Sequence, residues 1–176
     1  MTLDSRFASR TAIVAALLAA GPPLAAQPAP ARSPQIIALP LNPVVANDKR
    51  SCRDKSASGL GYTLLLAGAG AKPGATDIVL VNYIGYLAAS GATFDQAMTA
   101  AMPVDRLIPG FTEGLKLMPK GSIYRFCVPA TLGYGAKAQG PIPANSALVF
   151  QVELVEFKTA AEVEALRKAE PGAAKP

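Results

Sequence analysis

The chain of 176 residues contains no histidine and only two cysteines, Cys52 and Cys127. Histidine is the usual general base of hydrolases and the commonest ligand of transition metals, so its absence excludes histidine-dependent serine and cysteine hydrolases. A thiolate zinc site needs paired ligands at short spacing, which two distant cysteines do not provide. We therefore expect neither a bound metal nor a cofactor.

Charged residues are also scarce, at 16% of the chain, and 17 basic against 12 acidic side chains give a net charge of +5. One basic cluster lies between Lys49 and Lys55, and no aromatic side chain is interleaved with it. A nucleic-acid-binding or membrane-binding patch is one interpretation. We favour a solvated linker and expect no nucleic-acid partner, because isolated charge clusters without aromatic residues seldom bind bases.

The N-terminal part of the chain has the composition of an export signal followed by a linker. Residues 1–26 place two arginines before an apolar run of about ten residues and end in small residues at Ala26, the order of a secretory signal peptide. An uncleaved anchor helix is the alternative, but spanning a bilayer takes roughly 20 apolar residues. We expect cleavage near Ala26 and a periplasmic protein. Residues 27–57, rich in proline and alanine, predict a largely irregular lead-in.

Four later segments alternate apolar and polar side chains with the period of a β-strand. They are residues 62–67, 77–87, 122–129 and 147–157. In the third segment the alternation places Phe126 and Val128 toward the core and Arg125 and Cys127 on the opposite face. We expect a loop at residues 96–103, between the second and third strands.

A single segment inside this region has helical spacing. Phe111, Leu115 and Met118 recur at i, i+4 and i+7, with Pro109 before them and Pro119 after them. One short helix among several strands predicts an α+β domain in which an antiparallel sheet wraps around the helix.

The chain after the last strand forms the final segment, residues 158–176. Thr159 and Glu162 in this segment have the spacing of a capping box, which predicts the start of a short helix. We expect a short helical or disordered tail and assign it no function.

Seven short motifs resemble those of FKBP-type peptidyl-prolyl cis-trans isomerases, in the order of that family. Three of them are Gly-Ala-Thr-Phe-Asp at 91–95, Leu-Gly-Tyr-Gly at 132–135 and Ile-Pro-Ala-Asn at 142–145 with 148–150. The other four lie at 58–62, 68–70, 81–85 and 107–110 with 113–114. The resemblance is greatest to secreted bacterial members and implies an isomerase domain over residues 58–157. In that family, a twisted antiparallel sheet curls around one short helix, with an apolar substrate pocket between them.

The resemblance also implies a site. The residues that would line the pocket and bind the peptide are Tyr83, Phe94, Leu107, Phe111, Ile142 and Phe150. Three further residues would contact the reacting segment: the backbone N–H of Ile108 and the hydroxyl of Tyr134 would each hold a substrate carbonyl, and Asp95 would orient the carbonyl near the twisting bond. Core packing explains Tyr83 and Phe150 equally well. A carboxylate directly after an aromatic residue is unusual for packing, which favours a functional role for Asp95.

This chemistry needs no histidine, because rotation about a peptide bond requires neither a nucleophile nor a proton donor. The barrier of about 18–20 kcal/mol comes from amide resonance. Two departures from the family bear on catalysis: Phe111 stands where most members have tryptophan, and the segment after Asp95 offers Met98 and Met102 where some have aromatic residues. The alternative function is therefore a peptide-binding chaperone module of the same fold with little or no turnover.

The expected partners are proline-containing segments of unfolded or partly folded exported proteins, with macrolides as possible inhibitors. We expect a monomer, because the lead-in is too short and too rich in proline for the dimerising helix of some family members. The two cysteines leave two possibilities open. They form a disulfide that ties the lead-in to the outer face of the sheet, or they are unrelated thiols.

Overall fold

The computed structural model of the chain describes residues 33–40 and 44–169. The predicted signal peptide and the last seven residues of the predicted tail lie outside these ranges. In the part of the chain that is described, no helix is both long and apolar enough to cross a membrane.

Six strands and two α-helices make up the described structure. The strands are β1 (Asp54–Lys55), β2 (Gly61–Leu66), β3 (Ile78–Leu87), β4 (Thr93–Pro103), β5 (Ile123–Val128) and β6 (Leu148–Lys158). The helices are α1 (Pro109–Leu117) and α2 (Ala160–Ala169). The four strands and the helix predicted from periodicity are all present, with ends that differ by one or two residues.

The strands form one sheet in the order β1-β2-β5-β6-β3-β4, and every neighbouring pair is antiparallel. Strand β6 lies in the centre, where Tyr83 of β3 and Tyr124 of β5 both lie opposite Val152. The α+β prediction of an antiparallel sheet with one short helix against it is thus confirmed.

The main core lies between α1 and the inner face of the sheet. The fully buried side chains Leu115 and Met118 on the helix side belong to one apolar cluster with Val81, Phe126 and Val152 of the sheet. Gly114 lets the helix approach the sheet closely, because a Cβ at this position would lie 2.7 Å from the ring of Phe126. The helix therefore packs directly against β5.

The lead-in covers the outer face of the sheet. Ile37 and Val45 are buried there against Ile84, Tyr86 and Val149 in a second apolar cluster. The side-chain amide of Gln151 both donates to the Ile37 carbonyl and accepts from the Ile37 N–H, at 2.8 and 2.7 Å. The outer face is thus a second buried layer rather than a solvent-facing one.

A disulfide joins the lead-in to the outer face, which decides between the two possibilities left open by the sequence. Cys52 and Cys127 are bonded, with their Cα atoms 6.0 Å apart. Beside them, Arg125 is only 2% exposed, and its guanidinium donates to the backbone carbonyls of Gln35 and Ser51 at 2.8 and 3.4 Å. The predicted orientation of Arg125 and Cys127 is confirmed, but this face is covered by the lead-in.

The predicted loop at residues 96–103 is wrong, because this segment belongs to the edge strand β4. Pairing with β3 continues from Thr93 to Pro103 and is interrupted by two register shifts, one of which is a bulge opposite Asn82. At the bulge Thr99 has a φ of +52°, and its N–H donates to the side-chain carbonyl of Asn82 at 2.8 Å. Alanine and methionine have little intrinsic preference for strands, so the hydrogen bonds offered by β3 decide the conformation.

The predicted capping box at the start of the tail is confirmed. The Thr159 hydroxyl accepts from the Glu162 N–H at 3.2 Å, and the Glu162 carboxylate accepts from the Thr159 N–H at 2.8 Å. These bonds satisfy two backbone donors at the start of α2. Donation from the Thr159 N–H and hydroxyl to the Glu162 carboxylate lowers the pKa of Glu162.

Candidate functional site

A cavity of about 210 Å³ opens between the start of α1 and the inner face of the sheet. It is lined by Tyr83, Asp95, Met102, Arg106, Leu107, Ile108, Phe111, Tyr134 and Phe150. The lining comes from β3, β4, β6, α1, the segment before the helix and the loop after β5. The curled sheet therefore brings residues from six parts of the chain to one place.

Phe111 forms the floor of the cavity and is only 4% exposed. Its ring packs edge-to-face against Phe150 with the centroids 4.9 Å apart, and against Tyr83 at 6.3 Å. Edge-to-face pairs within 7 Å add about 0.5–1.5 kcal/mol each to the effect of burial. The floor is therefore a fixed aromatic surface.

Asp95 and Tyr83 form the polar side of the cavity. They lie on the adjacent strands β4 and β3, and the Tyr83 hydroxyl donates to the Asp95 carboxylate at 2.6 Å. Burial raises the pKa of Tyr83, and the hydrogen bond to Asp95 raises it further. Tyr83 therefore stays protonated as a donor, and Asp95 is held in one orientation at an exposed position of an edge strand.

Gly85 is required by the packing behind this pair. A Cβ at this position would lie 2.6 Å from the ring of Phe94 and 2.8 Å from the ring of Phe150. These two rings meet edge-to-face over the glycine with centroids 5.6 Å apart. The missing side chain thus makes room for Phe94, which supports Phe150 in the cavity wall.

Ile108 lies immediately before α1, where its carbonyl accepts from the N–H groups of Phe111 and Thr112, both at 3.0 Å. The N–H of Ile108 itself forms no hydrogen bond to any described residue. An unpaired backbone N–H at the rim of an apolar cavity is available to a carbonyl group of a ligand.

Tyr134 lies at the rim on the loop after β5, and its side chain is 38% exposed. The loop is held by Gly135, whose φ of +59° suits glycine and whose carbonyl accepts from the Asn145 N–H at 2.7 Å. The Tyr134 hydroxyl has no hydrogen-bond partner among the described residues. It is thus a second unpaired donor at the cavity.

The structure brings most residues of the predicted site into this cavity, but two of them are not among its lining residues. Phe94 is partly buried against Phe150, and Ile142 is 4% exposed within the main core. Met102 lines the cavity, whereas Met98, on the same strand, is 60% exposed elsewhere. The action of all these residues on a substrate stays a prediction.

Arg106 is the lining residue that the sequence did not single out. Its position just before Leu107 and Ile108 was the only sign in the sequence that it could reach the cavity. That sign is weak, because a single arginine is usually a solvated surface residue. With it, the lining contains two phenol hydroxyls, one carboxylate and one guanidinium around apolar side chains. Such a cavity is suited to binding a peptide segment by apolar contact and a few hydrogen bonds.

Residues 70–155 match the sequence profile of the family described as FKBP-type peptidyl-prolyl cis-trans isomerase. The chain is 44% identical over 119 residues to the FKBP-type peptidyl-prolyl cis-trans isomerase FkpA of Aeromonas hydrophila, covering 65% of this chain and 44% of the relative. It is 46% identical over 109 residues to the outer membrane protein MIP of Legionella longbeachae, covering 59% of this chain and 46% of the relative. The chain thus spans less than half the length of these relatives.

A solved structure gives the same result for the fold. The crystal structure of a peptidyl-prolyl cis-trans isomerase from Pseudomonas syringae pv. tomato matches with a TM-score of 0.58 and 35% identity. The match covers 60% of this chain and 80% of that chain. The sheet and the helix against it are therefore similar to those of that isomerase in both sequence and geometry.

Proposed function

Because this chain belongs to the family of FKBP-type peptidyl-prolyl cis-trans isomerases, we propose that it accelerates rotation about X-Pro peptide bonds by a non-covalent mechanism. Uncatalysed, this rotation takes tens to hundreds of seconds and limits the folding of many proteins. The observation that carries the proposal is the aromatic cavity with two unpaired hydrogen-bond donors, Ile108 N–H and Tyr134 hydroxyl, at its rim.

The mechanism follows from the electronic structure of the amide. Resonance makes the planar peptide bond polar and gives it partial double-bond character, and a twisted bond loses both. An apolar cavity stabilises the less polar twisted state relative to the planar ground state. Only interactions that are stronger in the transition state accelerate the reaction, so the aromatic surface of Phe111 and Phe150 would contribute in this way.

Hydrogen bonds would hold the segment around the proline while the bond turns. Ile108 N–H would bind the carbonyl of one flanking residue, and the Tyr134 hydroxyl would bind another. The fixed carboxylate of Asp95 would face the carbonyl next to the twisting bond and favour the rotated orientation of that dipole. Holding the flanking backbone in a turn would also use binding energy to reach the twisted geometry.

The direct test is the cis-to-trans rate of a short X-Pro peptide, measured with the purified chain from Gln27 onward. We expect acceleration that falls sharply in Asp95→Ala and is blocked by the macrolide rapamycin. Asp54→Ala is the matched control, since it removes an exposed carboxylate on β1, away from the cavity. An Asp95→Ala protein that is folded and equally active would refute the assigned site.

A peptide-binding module with little turnover is the second candidate, and the phenylalanine floor favours it. The ring of Phe111 is smaller than the tryptophan of most family members, so the floor covers less of a bound proline. The two functions respond differently to Asp95→Ala: turnover would fall under the first, whereas binding of an unfolded client would persist under the second. Slow isomerisation that Phe111→Trp accelerates would identify the floor as the cause.

We further propose that the chain acts on proline-containing segments of exported proteins, as a periplasmic monomer after cleavage near Ala26. The Cys52 and Cys127 disulfide supports an oxidising compartment, because disulfides seldom persist in the cytosol. The relative from Legionella longbeachae is named an outer membrane protein. Fractionation of cells with detection of the mature N-terminus tests the location, and light scattering tests the oligomeric state.

A further inference from the structure

Arg106 contributes the only basic side chain to the cavity lining. In the part of the chain that is described, its guanidinium forms no ion pair and no hydrogen bond. By contrast, Lys120, Arg167 and Lys168 are each paired with a glutamate. An unpaired guanidinium at the rim of a peptide-binding cavity is available to an anionic group of the peptide.

The backbone that carries Arg106 is held in place. Arg106 ends a 3-10 turn that begins at Val104, which is fully buried. The Val104 N–H donates to the Asp77 carbonyl at 3.0 Å, and the Val104 carbonyl accepts from the Thr112 hydroxyl at 2.7 Å. The turn is therefore fixed to α1 and to the start of β3, so that the side chain of Arg106 starts from a defined point.

The distance to the proposed substrate contact is short. Arg106 lies two residues before Ile108, and two residues of extended chain span about 7 Å. A peptide carbonyl bound to Ile108 N–H would therefore place the neighbouring side chains of the substrate within reach of the guanidinium. The carboxylate of Asp95 is already engaged by the Tyr83 hydroxyl and forms no ion pair with Arg106.

We propose that Arg106 determines substrate specificity by favouring X-Pro segments with a glutamate or aspartate next to the proline. This inference rests on the proposed isomerase function. Arginine stays charged at any physiological pH, and its planar fork of donors matches a carboxylate group. We expect kcat/KM to be two- to fivefold higher for a peptide with glutamate than for the same peptide with glutamine, about the range that exposed ion pairs contribute.

The test compares tetrapeptides that differ only at the residue before the proline, which is Glu, Gln, Lys or Leu. A second series places the same residues after the proline. The readout is the ratio of kcat/KM for the Glu and Gln peptides, measured for the wild type, Arg106→Gln and Arg106→Glu. Arg53→Gln is the matched control, because Arg53 is exposed and does not line the cavity.

We expect a ratio above two for the wild type and Arg53→Gln in at least one series, and a ratio near one for Arg106→Gln. Arg106→Glu should favour the Lys peptide instead. The wild-type preference should also shrink in 1 M salt, where the Debye length falls to about 3 Å.

Two other outcomes would overturn the inference and are distinguishable from each other. Equal loss of activity toward all peptides in Arg106→Gln would mean that Arg106 supports the site itself and does not recognise the substrate side chain. A wild-type ratio of one in both series would mean that the guanidinium does not meet the substrate side chain. Failure to isomerise even the Leu and Gln peptides would refute the proposed function itself.

Discussion

Loss of the disulfide between Cys52 and Cys127 is expected to lower the free energy of unfolding by about 4.5 kcal/mol. The bond closes a loop over a sequence separation of 75 residues. In the chain-entropy description, closing a loop of that size lowers the entropy of the unfolded chain by about 15 cal/mol/K. At 25 °C this entropy corresponds to a free energy of about 4.5 kcal/mol. The crosslink removes this entropy from the unfolded state, so its loss favours unfolding.

Urea unfolding of the oxidised wild type and of the double variant Cys52→Ala with Cys127→Ala measures the effect. With a slope of about 2 kcal/mol/M, the midpoint should fall by about 2 M. Reductant supplies the matched control. The wild type in dithiothreitol should approach the double variant, whereas the double variant should not respond to it.

Equal midpoints for the oxidised wild type and the double variant would refute this reasoning. That result would mean that contacts other than the disulfide already hold the lead-in near β5 in the unfolded chain. The candidates for such contacts are the bonds from Arg125 to the carbonyls of Gln35 and Ser51. Hydrogen exchange of the Ile37 N–H, which is bonded to Gln151 in the folded protein, would show whether this part of the lead-in stays protected after unfolding in urea.

Three further predictions concern single side chains. Tyr83→Phe removes the hydroxyl that donates to Asp95 and should lower kcat/KM about two- to tenfold, the equivalent of one hydrogen bond. The urea midpoint should change little. An unchanged kcat/KM would mean that the orientation of Asp95 by Tyr83 plays no part in the mechanism. Gly85→Ala should cost about 1–3 kcal/mol of stability, because its Cβ would overlap Phe94 and Phe150, whereas Gly74→Ala, with no neighbour closer than 3.5 Å, should cost less. Burial raises the pKa of Tyr86 from 10.0 to about 12, partly offset by the guanidiniums of Arg125 and Arg50, so the folded state holds its proton more tightly than the unfolded state. Stability should therefore fall by about 1.4 kcal/mol per pH unit between pH 10 and 12, and Tyr86→Phe should show a shallower fall in that window.

The alternating and helical patterns of the sequence predicted the elements that form the main core. Residues 77–87 and 147–157 alternate regularly because one face of each strand packs against α1 and the other against the lead-in. The spacing of Phe111, Leu115 and Met118 predicted α1 for the same reason, since all three side chains are buried on one side. These patterns are local, so they are visible in the sequence.

The motifs predicted much of the cavity lining, because Asp95, Ile108 and Tyr134 lie in short segments that contain or adjoin a glycine or proline. Asp95 follows a segment that begins with Gly91, and Tyr134 lies between two glycines. Ile108 precedes Pro109, which starts α1. Phe94 and Ile142 carry the same kind of signal, yet neither lines the cavity: Ile142 belongs to the main core and Phe94 packs against it.

The tertiary structure alone decided features that depend on residues distant in the chain. Strand β4 forms because β3 offers it hydrogen bonds, although its own alanines and methionines do not favour a strand. Arg125 is buried because the lead-in, 90 residues earlier at Gln35, folds back over it and supplies carbonyl acceptors. Arg106 lines the cavity because it ends a turn that is anchored by the buried side chain of Val104. Sequence periodicity records which face of an element is buried, but not which distant segment covers it, since that pairing is set by contacts that form only when the whole chain folds.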